Sequence, residues 1–229
     1  MAITLYELAG ADADRRFSPY CWRVRMALLH KGLSFETEPV RFSEKDKIAF
    51  SGQGLVPVLV DGERTVTDSF AIATYLEDTY RDAPSLFGDA SGLARFATNA
   101  VDGLLTFSLV GFIVTDVFAV IAEQDRAYFR ESREKRLGMS LEAFAAGRDE
   151  RLPAFRESLE PLRRTVREQK FLCGAKPGWV DYVAFASFQW ARCTSPYQLL
   201  ATDDPLHGWR ERMLDLFGGE GRKAVGFPV

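Results

Sequence analysis

Strand signals in this chain stop near residue 67, and beyond residue 91 the pattern is helical throughout. Ile3-Thr4-Leu5-Tyr6-Glu7-Leu8 alternates apolar and polar side chains, the period-two mark of a strand with one buried face. Ser34-Phe35-Glu36-Thr37-Glu38-Pro39-Val40 alternates again, and Pro39, which has no amide hydrogen for a ladder, suits a strand end or an edge. Leu55-Val56-Pro57-Val58-Leu59-Val60 is a short apolar strand, followed by Asp61-Gly62 and Thr65-Val66-Thr67. Asp-Gly between two such runs predicts a hairpin, because its tight turn needs residues that tolerate positive φ. Helices are expected behind Ser18 and over residues 70–80, with a short polar helical turn over residues 43–50.

The order strand, helix, strand, turn, strand, strand, helix gives a layered arrangement typical of the thioredoxin class. Arg81-Asp82-Ala83-Pro84-Ser85 reads as a linker. The fold class expected is therefore an α/β thioredoxin-like N-terminal domain (residues 1–82), a linker (83–91) and an all-α C-terminal domain (92–229). Within the second part a long helix is predicted over residues 91–122, bent near Gly103 or Gly111. Asp125 is placed to cap the next helix, and Gly138 to stop it. A short helix follows over residues 140–146, then an amphipathic one over 151–169 and a nearly all-apolar, buried one over 179–193. The last helix begins at Asp203-Asp204-Pro205 and ends near Phe217, leaving residues 218–229 as a glycine-rich tail without periodicity.

Composition excludes several function classes. With 29 basic and 32 acidic residues the formal charge is −3, which gives no footprint for nucleic acid. The longest apolar run, residues 104–121, is interrupted by Ser108, Thr115 and Asp116 and is not expected to span a membrane. No basic stretch precedes an apolar core at the N-terminus, so no signal peptide is expected, and the cytoplasm is the default location. Three cysteines (Cys21, Cys173, Cys193) and two histidines (His30, His207) form no close metal-binding pattern, so neither a disulfide framework nor a metal site is expected.

Three local features carry candidate chemistry. Ser18 has the side chain of a helix N-cap, Pro19 suits the first helical position, and Gly32 suits a left-handed C-cap. A hydroxyl at a helix N-terminus can hold an anion, but on this stretch alone a plain cap is the favoured reading of the serine. Pro57 inside an apolar strand removes a ladder donor; a cis Val56-Pro57 bond is one way to accommodate it, and would leave the Val56 N–H and C=O for another backbone. Asp68-Ser69 is either a plain cap pair or a clamp, with the aspartate for an ammonium and the serine for a carboxylate.

Ser18-Pro19 opening a helix, Val56-Pro57 opening a hairpin and Asp68-Ser69 capping the next helix resemble, in that order, the glutathione transferases. The all-helical second half fits the same family, as does Asp181, which stands where the family has a buried helix-capping aspartate. Gly178 departs from the pattern, since Ser or Thr is usual there and a glycine weakens the capping box. A narrower resemblance, to the bacterial lignin β-etherases and fungal etherase-like enzymes, runs through six blocks. They are residues 18–23 and 27–32, residues 147–153, Gln189-Trp190-Ala191-Arg192, Asp203-Asp204-Pro205-Leu206 and Leu214-Asp215-Leu216-Phe217.

This resemblance implies glutathione as cosubstrate, a homodimer, and Ser18 as the hydrogen-bond donor to the glutathione sulfur. It implies a glutathione site built from Val56, Pro57, Asp68 and Ser69. Leu55 stands where the family often has a cation for the glycyl carboxylate, so Arg41, Lys45 and Lys47 are alternatives, with Gln53 as a neutral partner. The aromatic second substrate would lie between the domains against Tyr20, Phe112, Trp190 and Tyr197. Cys21, one turn into the same helix, offers the rival chemistry of a glutathione-dependent thiol oxidoreductase, but reads more simply as a packed side chain, as does Tyr6. A ligand-binding protein of the same fold without turnover is the remaining alternative.

Overall fold

In the computed structural model, residues 2–228 are described. The N-terminal half runs β1 (Ile3–Leu8), α1 (Pro19–His30), β2 (Phe35–Val40), a 3-10 segment (Lys45–Ser51), β3 (Val58–Asp61), β4 (Arg64–Thr67) and α2 (Ser69–Thr79). Its four strands lie in the order β2-β1-β3-β4, with β1 parallel to β2 and the other pairs antiparallel. The thioredoxin-like expectation is met: β1 is central, and Leu5 pairs with Thr37 on one side and Leu59 on the other. The Asp61-Gly62 turn forms as read, with Gly62 at φ 58°. β3 is shorter than the apolar run predicted, because Leu55 and Val56 lie before the Val56-Pro57 bond and outside the ladder.

Helix α1 is buried on nearly all sides because it lies between the sheet and the helical half. Trp22, Val24, Met26 and Leu28 are all in the core, and Trp22 packs edge-on against Phe185 of the long helix α9 (Trp179–Thr194), ring centroids 6.4 Å apart. Such packing leaves no solvent for charges, and the two arginines on α1 are each matched. Arg23 donates to Asp102 (3.1 Å from Nη1 to Oδ2), and Thr106 links Asp102 to Ser187 of α9 at 2.7 and 2.8 Å. Arg25 donates to the fully buried Glu7 of β1 at 3.1 Å and to Glu220 at 2.5 Å. Glu7 occupies an inward position of β1 for that reason.

The helical half comprises α3 (Ser91–Val101), a π-helical turn (Asp102–Thr106), α4 (Phe107–Val120), α5 (Glu123–Leu137), α6 (Leu141–Ala145), α7 (Arg148–Ser158), α8 (Glu160–Glu168), α9, α10 (Pro205–Leu214) and α11 (Leu216–Lys223). The predicted bend near Gly103 is that π turn, where the Phe107 N–H reaches back to the Asp102 carbonyl. Ser91–Val120 is a continuous helical run of 30 residues with a mean hydropathy of 2.0 over its best window, long and apolar enough by composition to cross a membrane. In the fold its inner residues Val101, Leu105, Leu109 and Ile113 pack into the core shared with α1 and α9.

Other expectations are corrected. Asp125 does not cap α5, which starts at Glu123; its buried carboxylate accepts from the backbone N–H groups of Phe42 (3.3 Å) and Ser43 (2.8 Å) in the other half. The single helix read over residues 151–169 is two, broken at Leu159: Pro161 has no N–H to donate to the Glu157 carbonyl, and it suits the first turn of a new helix instead. The apolar spacing survives the break since Leu159 and Leu162 both stay in the core. The tail is ordered too. Phe217, Gly218 and Gly219 take positive φ and turn the chain into α11. Gly221 then lies so close to Phe185 that a β-carbon would sit 2.7 Å from its ring. Arg192 donates to the Gly221 and Ala224 carbonyls at 3.2 and 3.0 Å, and the Phe227 N–H donates to the Arg192 carbonyl at 2.8 Å. Gly218 and Gly219 thus serve the turn, and Gly221 and Gly226 the close approach to α9.

Candidate functional site

Ser18 caps α1 as the sequence suggests, with extended backbone (φ −62°, ψ 126°) and Pro19 at the first helical position. The cap bond is long: the Cys21 N–H donates to Ser18 Oγ at 3.4 Å. A hydroxyl that only accepts keeps its own proton to give, and among the described residues nothing takes it. Ser18 is only 5% exposed, so that proton points into enclosed space at a helix N-terminus, where partial positive charge collects.

Two cavities meet beside this serine, with Tyr20 lining both. One, of about 440 Å³, is lined by Tyr20, Gln53, Leu55, Val56, Pro57, Thr67, Asp68 and Ser69. The Val56-Pro57 peptide is cis, and the Val56 N–H and C=O find no backbone partner among the described residues. Asp68 holds a left-handed φ of 70° and caps α2 through one oxygen only, Oδ1, which accepts from Phe70 and Ala71 at 3.0 and 2.9 Å. Its Oδ2 and the Ser69 hydroxyl have no partner among the described residues. Gln53 braces the rim: its Oε1 accepts from the Leu55 N–H at 2.8 Å while its Nε2 donates to the Leu55 carbonyl.

The second cavity, of about 390 Å³, contains Ser18, Pro19 and Tyr20 and is otherwise largely apolar, with Phe17, Phe42, Val110, Val114 and Trp190 among its walls. Thr106 also faces it, as do Phe129, Arg133, Arg136 and Leu137 of α5. Burial raises the Tyr20 phenol above its ordinary pKa, so it remains a neutral hydroxyl, with the Arg23 guanidinium 4.5 Å from its ring centre.

The predicted site residues therefore divide. Ser18, Tyr20, Gln53, Val56, Pro57, Asp68, Ser69 and Trp190 come together around the two cavities. Arg41 and Lys45 do not. Arg41 donates to the Gly10 and Ala11 carbonyls and to Glu44, which satisfies a local loop, and Lys45 lies on the Tyr128 ring and bonds its hydroxyl at 3.0 Å. Lys47 turns to the Pro39 carbonyl. Phe112 is a core residue packed on Phe155, and Tyr197 bonds Asp149 at 2.7 Å, so neither lines the apolar cavity. Cys21 is fully buried and burial pushes its thiol up to about 12, which removes the thiolate a redox role needs. Tyr6 packs on Phe50.

Thr106, Arg133 and Arg136 were not expected at the site. For α5 a signal existed in the spacing of Phe129, Arg133, Arg136 and Leu137, which shares one helical face. That charged residues on such a face look onto a cavity rather than solvent is not encoded in the spacing.

Two models of glutathione S-transferase domains match the chain, the N-terminal domain over residues 17–79 and the C-terminal domain over residues 92–214. The chain belongs to the glutathione S-transferase family. Glutathione S-transferase Z2 of Arabidopsis thaliana is 44% identical to it over 72 residues, 29% of this chain and 32% of that protein. A zeta-class glutathione S-transferase of Euphorbia esula is 34% identical over 103 residues, 40% of this chain and 46% of that one. The chain thus matches about a third to a half of the length of these curated relatives. Fold similarity extends much further. A Ceriporiopsis subvermispora glutathione S-transferase solved in complex with glutathione superposes with a TM-score of 0.77 at 22% identity, covering 97% of this chain and 94% of that one. Glutathione transferase GSTFuA2 from Phanerochaete chrysosporium gives 0.74 at 25% identity, covering 96% and 94%.

Two features of the chain can now be explained. Asp181 accepts four hydrogen bonds, from the N–H groups of Leu172 (2.7 Å), Cys173 (3.0 Å) and Gly178 (3.2 Å) and from the Trp209 indole (2.9 Å). It makes its half of a capping box, while Gly178 has no side chain to make the other. The glycine is explained by crowding: a β-carbon there would meet Cys173 Sγ at 3.0 Å and the Leu86 carbonyl at 3.1 Å. The blocks that carry the etherase-like resemblance prove largely structural. Arg148 donates to the Phe112 carbonyl and Asp116, Arg151 to the Gly111 carbonyl, Arg192 to the tail, and Asp204 caps α10 and holds Arg163. Trp190 is their one contribution to the apolar cavity outside residues 18–20.

Proposed function

We propose that this chain is a glutathione transferase in which Ser18 steadies the thiolate of glutathione for attack on a hydrophobic, aromatic electrophile. The observation that carries the reading is the meeting of the two cavities at Tyr20, beside Ser18. The polar one offers what a γ-glutamyl peptide requires: free backbone groups at Val56 for the cysteinyl segment, Asp68 Oδ2 for the ammonium and the Ser69 hydroxyl for the α-carboxylate. The sulfur then falls toward Ser18, whose hydroxyl donates to the thiolate in preference to the thiol. The helix N-terminus acts in the same sense, and together they lower the pKa of a thiol that is ordinarily about 8.5. An electrophile in the apolar cavity is attacked at carbon: a C–S bond forms, the leaving group departs with its electron pair, and a thioether remains. An aryloxide as that leaving group rests on the resemblance to the β-etherases, which outside residues 18–20 reaches the cavity through Trp190.

The family's homodimer fits an exposed apolar stripe. Leu93 and Phe96 of α3 are 67% and 73% exposed, and Phe50 is exposed on the other half. The chain's three free thiols suit a reducing compartment, and the cytoplasm is the proposed setting. Calorimetric titration with glutathione tests the central reading, with Asp68→Ala expected to weaken binding about tenfold through the lost ammonium contact. Wild-type protein that binds no glutathione overturns it. Light scattering should give twice the 25.7 kDa chain mass.

A further inference from the structure

We propose that Arg133 and Arg136 make the apolar cavity selective for aromatic molecules carrying an anionic group, a carboxylate above all. The inference rests on the reading of that cavity as the electrophile site. Both arginines line it, one turn apart on the face of α5 that also presents Phe129 and Leu137. Their setting differs from that of the other arginines on the same helix. Arg130 is clamped by Glu134 and Glu142 at 2.8 Å each, and Arg126 lies 3.6 Å from Glu123. Among the described residues no carboxylate lies within 4.0 Å of Arg133 or Arg136. The acids of α5 and α6 thus pair with Arg126 and Arg130 and leave the two arginines on the cavity wall without a carboxylate.

Arg133 is half-buried, with its guanidinium 4.6 Å from the ring centre of Phe129 and 5.1 Å from that of Phe42, and donates only to the Ser132 hydroxyl, at 2.9 Å. Burial and the neighbouring Arg136 both act against its charge. A half-buried guanidinium beside a second positive charge, with no counter-ion, is unfavourable until an anion sits by them. The Arg133 guanidinium lies on the Phe42 and Phe129 rings at the cavity wall, and its planar group suits the two oxygens of a carboxylate. The surrounding Phe17, Val110, Val114 and Trp190 take the ring that bears it. The two arginines border the apolar cavity and not the polar one, which assigns them to the electrophile rather than to the carboxylates of glutathione.

The test measures binding of 2-naphthoate and of its methyl ester to the full chain without glutathione, by calorimetry and by quenching of Trp190, the only one of four tryptophans on this cavity wall. The expected result is acid binding about tenfold or more tighter than ester binding, and an acid affinity that falls with added salt. In Arg133→Met/Arg136→Gln the ratio should collapse toward one with ester binding changed less than about twofold. Arg136→Gln alone, at an exposed position, keeps the test valid if replacement of Arg133 unfolds the chain. In turnover, KM for 4-chloro-3,5-dinitrobenzoate should rise in the variants, while KM for its methyl ester and for glutathione stays constant. Equal wild-type affinity for acid and ester overturns the proposal, as does a ratio that the substitutions leave intact. A raised KM for glutathione in their place overturns it too, by assigning the pair to the peptide. Selective acid binding by a chain that turns nothing over would overturn the transferase reading and leave the anion site standing.

Discussion

Replacing Ser18 by alanine separates its two roles, because the structure gives them different magnitudes. The cap bond to the Cys21 N–H is 3.4 Å long, at the far end of the hydrogen-bond range. Its loss should cost about 0.5 kcal/mol, the low end for N-cap removal. For a chain of this size that is a fall in Tm of about 1–2 °C. The hydroxyl's bond to a thiolate is charge-assisted and sheltered, since Ser18 is only 5% exposed, and such bonds contribute about 1.5–3 kcal/mol. One pKa unit corresponds to about 1.4 kcal/mol, so the bound glutathione thiol should rise by about 1–2 units in Ser18→Ala. At neutral pH kcat/KM toward chlorodinitrobenzene should fall about 10–100-fold, with part of the loss recovered as pH is raised through the new pKa. Ultraviolet absorbance of the thiolate in the binary complex reads the pKa directly, and calorimetry should show glutathione affinity little changed. An unshifted thiol pKa, or equal loss at all pH values, would refute the role assigned to the hydroxyl.

Asp102→Ala leaves Arg23, which is 1% exposed, without its carboxylate, and should lower unfolding stability by about 3–5 kcal/mol; a urea midpoint within error of wild type contradicts a buried ion pair there. Gly178→Ser restores a cap hydroxyl worth about 1 kcal/mol but drives a β-carbon against the Leu86 carbonyl and Cys173, an overpacking cost of about 1–3 kcal/mol. A net loss of stability is expected on denaturant titration, and a gain would refute the crowding explanation. His30 is held neutral: its Nε2 donates to the Ser85 carbonyl at 3.0 Å, so Nδ1 accepts from the Tyr182 hydroxyl at 2.6 Å. Burial lowers its pKa below the ordinary 6.5, so the unfolded chain binds more protons in the window just beneath that value. Stability contributed by neutral His30 is fully present above pH 6.5 and is lost as pH falls below it, and His30→Gln should flatten that part of the Tm–pH curve.

What the sequence determined by itself was everything carried by short-range signals. The alternation of β1 and β2, the Asp61-Gly62 turn and the cap Ser18-Pro19 fix elements through a few neighbouring residues, and their order along the chain limits the fold to a thioredoxin-like half followed by helices. On those elements Ser18, Asp68 and Ser69 stand out as caps and Pro57 as a proline in a strand, and only the family resemblance joins them with Val56 into a proposed site. Tertiary structure decided the partners. Periodicity shows that a side chain points inward but not what it meets there. Phe112 and Trp190 read alike in sequence, yet the first packs on Phe155 and the second faces the cavity. Asp125 looks like a cap and instead ties down the Phe42-Ser43 amides across the domain boundary, while Arg41 and Lys45 are drawn to nearby carbonyls and a ring. The counter-ions of α5 lie within the same helix and its neighbour α6, but which arginines they leave unneutralised over an apolar cavity depends on how α4, α5 and α9 close around Ser18.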